Sequence, residues 1–233
     1  MKRNKGRFMT SVHCLGVALL LVLGPLSLPA SSQKPSAAKD PIGRLRSGNA
    51  RFMKDKRRNV SYALERSTLI TGQKPYATVL SCADSRIPPE IVFDESLGKL
   101  FVVRAAGNVV DPVGLGSIEY SAYYLGSQLL LVLGHDSCGA VEAACGVEST
   151  RPPPDGHSMG AFVELIKDAV ETARRAHPGI GPKELVPFAV EENVRLQLEN
   201  VKKSPVIRDL IKANKLTLKG AVYRLKSGKV DLL

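Results

Sequence analysis

Two short segments carry residue types that can hold a metal ion: Ser81-Cys82-Ala83-Asp84-Ser85-Arg86 and Gly134-His135-Asp136-Ser137-Cys138-Gly139. Cys82, His135 and Cys138 offer two sulfurs and one imidazole nitrogen, a donor set that suits a borderline-soft ion such as zinc. Singly, each piece is weak. A lone Cys at a strand end is usually a small buried hydrophobe, and an isolated His-x-x-Cys arises often by chance. The combination is more informative, because each half follows an apolar run and is flanked by Gly or Ser turns. Asp84 decides the character of such a site. Four permanent protein ligands close a metal centre, whereas three leave a position for water, so Asp84 is either the fourth ligand or a group beside the ion. Arg86, two residues on, can form a charge-assisted pair that holds the carboxylate off the metal. An ordinary surface salt bridge, the plainer reading, would be worth about 0–1 kcal/mol. In an oxidising compartment the two sulfurs could instead form a disulfide. Cys145 has no partner pattern and reads as structural, and His157 and His177 join no ligand set.

The elements that must position these residues are legible as apolar runs. Tyr76–Ser81, Leu100–Arg104 and Gln128–Gly134 have strand length and are apolar enough for strands buried on both faces, as in a parallel sheet. Gly116–Leu125 has helical length between the last two, giving strand, helix, strand and a right-handed crossover. The ligand segments then fall at carboxyl ends of strands, the edge of an open parallel sheet where ligands bind. Asp40-Pro41 reads as an N-cap and first helical residue, opening a short amphipathic helix with Leu45, Ala50, Arg51 and Phe52. Its apolar face is expected to need a core elsewhere. Lys54–Asn59 reads as a solvated basic connection, and 151–156 as an irregular loop. Phe162–Ala176 and Pro187–Lys203 read as helices, and Leu218–Leu225 with Lys229–Leu233 as a terminal strand pair. No internal repeat is evident. The expected fold is one α/β domain with a mostly parallel sheet of four to five strands flanked by helices.

Composition narrows the function classes. The chain has 233 residues, 44% hydrophobic and 24% charged, with 20 Gly and 15 Pro in no fixed period, so wholesale disorder and collagen-like architectures are excluded. Four Cys are too few for a disulfide scaffold. The absence of Trp and only 5% aromatics argue against nucleic-acid reading by base stacking. The formal charge of +11 falls to +7 without the leader cations Lys2, Arg3, Lys5 and Arg7, and the remaining cations are dispersed rather than striped. Met1–Arg7 is basic, Cys14–Leu23 is apolar, Gly24-Pro25 breaks that run, and Ala30-Ser31-Ser32 suits cleavage, which together read as an export signal. A retained signal-anchor is the competing reading. The apolar run is shorter than the roughly 20 residues of a spanning helix, and Cys14 lies inside it, which argues against lipidation. The expected organisation is a signal peptide over 1–32, an N-terminal helical arm over 33–60 and a catalytic domain over 61–233. The expected location is exported, periplasmic or secreted, with no stable membrane span after cleavage and no nucleic-acid partner.

Cys82-Ala83-Asp84-Ser85-Arg86 with His135-x-x-Cys138-Gly139 resembles the β-class carbonic anhydrases. The likeness extends to Gly48-Asn49-Ala50-Arg51-Phe52, Pro88-Pro89-Glu90, Phe101–Asn108, Glu119-Tyr120, Glu192-Asn193-Val194 and Gly220–Tyr223. Ala83 and Ala105 depart from the Ser and Asn frequent in the family, and neither is a metal ligand. The resemblance implies one Zn²⁺ per subunit on Cys82, His135 and Cys138, and hydration of CO2 to bicarbonate and a proton by zinc-bound hydroxide. It also implies that Asp84 paired with Arg86 accepts a hydrogen bond from that hydroxide, and that Asp84 coordinates zinc only in a closed state. Two thiolates formally cancel the charge of the ion, so surrounding groups must compensate or orient. Substrate-binding residues implied by the same likeness are Gln73, Phe101 and Tyr120, with Gly139, and this set points to the constitutively open subtype over the bicarbonate-gated one. A tyrosine on a crossover helix is, on its own, more often core than substrate contact. The family builds its cleft from two subunits, so a homodimer or dimer of dimers is expected, with the N-terminal arm packing on the partner. Two alternatives stay open: a zinc hydrolase of COS or CS2 on the same fold, and a non-catalytic zinc-binding protein with Asp84 fixed on the metal.

Overall fold

A computed structural model describes residues 40–149 and 154–233. The signal peptide expected over 1–32, residues 33–39 of the arm and part of the 151–156 loop lie outside the described residues.

The chain enters through Asp40, whose carboxylate accepts the N–H of Ile42, with Pro41 at the first helical position. This opens helix α1 (Pro41–Met53), which is followed by α2 (Tyr62–Thr68), strand β1 (Ala77–Ser81), α3 (Pro89–Val92) and β2 (Leu100–Arg104). A 3-10 turn at Ala106–Asn108 precedes α4 (Pro112–Tyr123) and β3 (Leu129–His135). Next come α5 (Gly139–Cys145), α6 (Gly160–Ala176), α7 (Pro182–Lys202) and α8 (Pro205–Lys212). The hairpin β4 (Thr217–Arg224) and β5 (Lys229–Leu232) closes the chain.

The five strands form one sheet in the order β2-β1-β3-β4-β5, with every pairing parallel except β4 with β5. This is the expected single α/β domain. β1 and β3 are buried along their whole length, as their unbroken apolar runs require. The expectation fails for β2, which is buried only at Leu100 and exposed at Arg104, because it lies at the sheet edge. The crossover through α4 passes from β2 over β1 to β3, since β1 lies between those two strands.

Gly134 and Gly220 face α7, where a Cβ on either would meet Val194 at 2.7 Å. Leu131, on the opposite face, lines a cavity of about 320 Å³ with Leu45 and Phe93. Helix α7 begins at Pro182, five residues before the expected start at Pro187. Both prolines satisfy the first-position rule, but Gly181-Pro182 opens the helix and Pro187 is accommodated inside it without a backbone donor.

Helix α1 finds cover for its apolar face within its own chain. Leu45 is buried in the core of its own chain, and Phe52 packs against that core, 6.4 Å from Tyr223 ring to ring. The cause lies in polar and steric fit that hydrophobic periodicity does not register. Asn49, also buried, donates to the carbonyls of Val92 and Gly228 and accepts from the N–H of Val230. Gly48 lies so close to Phe93 that a Cβ would fall 1.7 Å from its carbonyl oxygen. Arg44 makes a two-bond pair with Glu95 at 2.7 Å, and Arg51 and Arg58 bond Asp94. Burial pushes both carboxyls up, yet Arg51 and Arg58 at Asp94, and Arg44, Tyr76 and Arg58 at Glu95, hold each below its ordinary range.

Candidate metal centre

β1 and β3 are neighbours, with Ser81 level with Leu133. Cys82 and His135 therefore emerge at the same edge of the sheet although far apart in sequence. Cys138 follows at the start of α5, after a turn in which Ser137 takes a left-handed φ of 50°. The ligand atoms of Cys82, His135 and Cys138 all lie within 4.8 Å of one another. The two sulfurs are 4.0 Å apart, and neither cysteine is in a disulfide. Cys82, Cys138 and His135 are 4%, 1% and 0% exposed.

The donor set passes a specific test of fit to a metal. His135 Nδ1 pairs with the carbonyl oxygen of Asp136 at 2.9 Å, which places the ring proton on Nδ1. Nε2 is then a lone-pair donor, and it is buried with no hydrogen-bond partner. A buried acceptor left unsatisfied is costly, and a cation between Nε2 and the two sulfurs would satisfy it. Without a cation, the Cys138 thiol beside it draws the Cys82 pKa down to about 4 against the effect of burial. Cys138 moves the opposite way, because a second adjacent thiolate and burial both disfavour its charge. Burial alone would lower the imidazole pKa, but the Cys82 sulfur and the Asp84 carboxylate leave it raised.

Backbone donors complete the cradle. The Cys82 sulfur accepts from the N–H of Gly107 at 3.2 Å and of Asp84 at 3.5 Å. Gly107 can approach because it takes φ +69°, where its missing Cβ would fall 2.5 Å from Ile166 Cδ1. Asn193, buried on α7, donates to the Gly107 carbonyl and fixes that turn. On the other loop, Asp136 accepts from the N–H of Leu225 and donates its own N–H to the Tyr223 carbonyl.

Asp84 stands beside this cluster, with Oδ2 3.9 Å from His135 Nε2. Arg86 grips its carboxylate through Nε at 2.9 Å and Nη2 at 2.7 Å, and the Arg86 N–H adds a third bond at 2.9 Å. The pair lowers the Asp84 pKa to about 2, so it is ionised at any ordinary pH. Arg86 also donates to the Ser137 carbonyl, joining the two ligand-bearing loops. A Cβ on Gly139 would meet nothing within 4 Å, so the start of α5 beside Cys138 is open.

The other expected substrate residues lie elsewhere in the same chain. Phe101 is level with Thr78, four residues before Cys82 and hence about 13 Å down the strands. Its ring lies 6.3 Å from that of Tyr120, whose ring is tilted against that of Tyr124 at 5.5 Å, and Tyr120, Tyr123 and Tyr124 are exposed. Gln73 is exposed ahead of the amino end of β1. Cys145 is buried on α5, and burial pushes its thiol up to about 11, in keeping with an inert structural role.

Arg104 was not picked out by the sequence. It ends β2 level with Ser81 and donates to the carbonyls of Cys82 at 3.0 Å and Asp84 at 2.6 Å. A cation at the carboxyl end of an apolar run was the available signal.

A family model described as carbonic anhydrase matches residues 77–230. Carbonic anhydrase 2 of Mycobacterium tuberculosis is 38% identical over 190 residues, which cover 81% of this chain and 89% of that protein. The solved β-carbonic anhydrase of Coccomyxa, in complex with acetazolamide, is similar at a TM-score of 0.65 and 27% identity. That match covers 73% of this chain and 77% of the other. One of two tetrameric β-carbonic anhydrases from Sordaria macrospora shares the fold at a TM-score of 0.64 and 24% identity, over 72% of this chain and 85% of that one.

Proposed function

This chain belongs to the carbonic anhydrase family, in its β class, and on that premise we propose how its residues divide the work of hydrating carbon dioxide. The reaction is the reversible conversion of CO2 and water to bicarbonate and a proton. Cys82, His135 and Cys138 would hold one zinc ion per chain, since their soft donors converge within 4.8 Å and His135 Nε2 has no other partner. A bound zinc ion supplies Lewis acidity, which makes water a nucleophile near neutral pH.

Asp84 orients that water. Its carboxylate is ionised and fixed beside the cluster, so it would accept a hydrogen bond from the attacking water and so orient it toward the carbon of CO2. Arg86 is the group that keeps the carboxylate in this role, and Asp84 would act as a fourth ligand only in a closed state from which Arg86 has let go. The single observation that carries the assignment is Asp84 bonded on both oxygens by Arg86, beside three converged soft donors. It favours catalysis over the reading of a non-catalytic protein with Asp84 fixed on the metal. Hydrolysis of COS or CS2 is not favoured, because the relatives and solved structures described above are carbonic anhydrases.

Gln73, Phe101 and Tyr120 would serve the centre of a partner subunit rather than their own, with Gln73 donating to bicarbonate oxygen and Phe101 walling an uncharged gas. The exposed aromatic surface at Tyr120, Tyr123 and Tyr124 supports burial in such an interface. The assembly would be a homodimer or dimer of dimers, of the open subtype. No helix of the described residues is long and apolar enough to cross a membrane. The basic, apolar and small-residue order of the first 32 residues supports an exported, periplasmic or secreted protein. Stopped-flow CO2 hydration on mature protein, with zinc stoichiometry on the same sample, tests the assignment. A folded, fully zinc-loaded sample without activity would overturn it.

A further inference from the structure

Arg104 occupies a position that the reaction scheme leaves unused. It closes edge strand β2 level with Ser81, the residue before the first metal ligand. From there its guanidinium crosses to the loop after β1 and donates from Nε to the Cys82 carbonyl and from Nη2 to the Asp84 carbonyl. Ala105, beside it, contributes backbone only: its N–H bonds the Ser81 carbonyl, and its own carbonyl accepts from Ala83. Those two ladder bonds fix residues 81 and 83, and neither reaches the main chain of Asp84. Arg104 does.

The side chain of Asp84 is held by Arg86, but both residues sit on the same loop. The Arg86 grip therefore fixes the carboxylate relative to that loop and leaves the loop itself to be fixed by something else. Within the loop the Asp84 carbonyl also accepts from the Ile87 N–H, but three guanidinium bonds tie the loop to its surroundings: Arg86 to Ser137 on the β3 side, and Arg104 to Cys82 and to Asp84 on the β2 side. With Oδ2 only 3.9 Å from His135 Nε2, a small shift of residue 84 would bring the carboxylate among the ligands.

We infer that Arg104 is a positioning residue that anchors the main chain at Asp84 and so keeps the Asp84 carboxylate from becoming a fourth metal ligand. The inference rests on the zinc site proposed above and concerns what keeps that site open. The planar fork of arginine suits two carbonyls at once, whereas a lysine ammonium in its place can hold one of them at a time.

The test uses the mature protein loaded with Co²⁺, whose visible spectrum reports access of azide to the ion. In the wild type, azide should perturb the spectrum. In Arg104→Ala, cobalt should still load at one per chain, while the azide response disappears and kcat/KM falls about 10- to 100-fold, the usual range for groups that orient ligands. The double variant Arg104→Ala with Asp84→Ala should recover the azide response, because the carboxylate that closes the site is gone. Arg104→Lys, the milder change, should lie between wild type and Arg104→Ala and serves if the alanine variant does not fold. A wild-type azide response in Arg104→Ala or Arg104→Lys, or a lost response that the double variant does not restore, would overturn the inference. Failure of the wild type itself to load metal or hydrate CO2 would instead count against the zinc assignment.

Discussion

Replacing Asp84 with alanine separates orientation of the nucleophile from metal binding, and the structure sets the size of each effect. The lost side chain accepts three hydrogen bonds from Arg86. The Arg86 side chain is 51% exposed, so their contribution to folding is that of a surface pair, about 0–1 kcal/mol. For a domain of this size that lowers Tm by no more than about 2–4 °C. Zinc content should hold at one per chain, since Asp84 bonds Arg86 and its Oδ2 stays 3.9 Å from the imidazole nitrogen. Turnover should fall about 10²- to 10⁴-fold, the contribution typical of a positioned proton-handling group. At 1.36 kcal/mol per factor of ten, that is about 3–5 kcal/mol of barrier, several times the folding effect. Stopped-flow CO2 hydration, zinc analysis and a thermal melt on one preparation measure all three. Zinc lost in step with activity would mean that Asp84 is a ligand, and the orienting role would be wrong. Because Asp84 titrates at about 2, its own ionisation should leave no mark on the pH–rate profile near neutrality.

Other outcomes follow from the same geometry. Asn49→Ala strands the carbonyls of Val92 and Gly228 and the N–H of Val230, so it should cost about 1–3 kcal/mol by denaturant unfolding. An unchanged midpoint would show that α1 is held by other means. Asp94 and Glu95 have lowered carboxyl pKa values in the folded state. Their stabilisation is therefore present above the ordinary carboxylate range and is lost as pH falls below about 4. Asp94→Asn should flatten that acid limb in a pH series of thermal melts. Stripping the metal with a chelator should leave Cys82 and Cys138, 4.0 Å apart, open to cross-linking by mild oxidant, while the loaded protein keeps both thiols. Peptide mass spectrometry reads the difference, and equal oxidation of the two forms would argue against a metal on these sulfurs.

The acid limb and the role of α1 rest on contacts that the order of residues did not disclose. Hydrophobic periodicity marked Leu45 and Phe52 as an apolar face that needed a core elsewhere. The cover is intramolecular, through Asn49, Gly48 and the arginine contacts to Asp94 and Glu95. These contacts depend on bringing residues 41–58 against residues 92–95 and 228–230, which no local pattern encodes. Pro187 misled for a related reason. A proline is a good first helical residue and a tolerated interior one, and only the competing Gly181-Pro182 start decides between them.

The residues by themselves determined the chemistry. Two thiols and an imidazole, two of them set after unbroken apolar runs, already mark a group that could hold a soft metal at the carboxyl edge of a parallel sheet, because such runs suit buried strands whose ends gather. Sequence also placed Asp84 within reach of Arg86, since two residues of chain suffice to close that pair. What only the folded chain decided is which groups look at each other across the sheet. Register puts Arg104 level with Ser81 and Phe101 level with Thr78. A cation thereby comes to the Cys82–Asp84 loop, and the aromatic surface is carried about 13 Å down the strands from that loop of its own chain. Strand order and register are set by the packing of every layer at once, and for that reason no single segment could announce them.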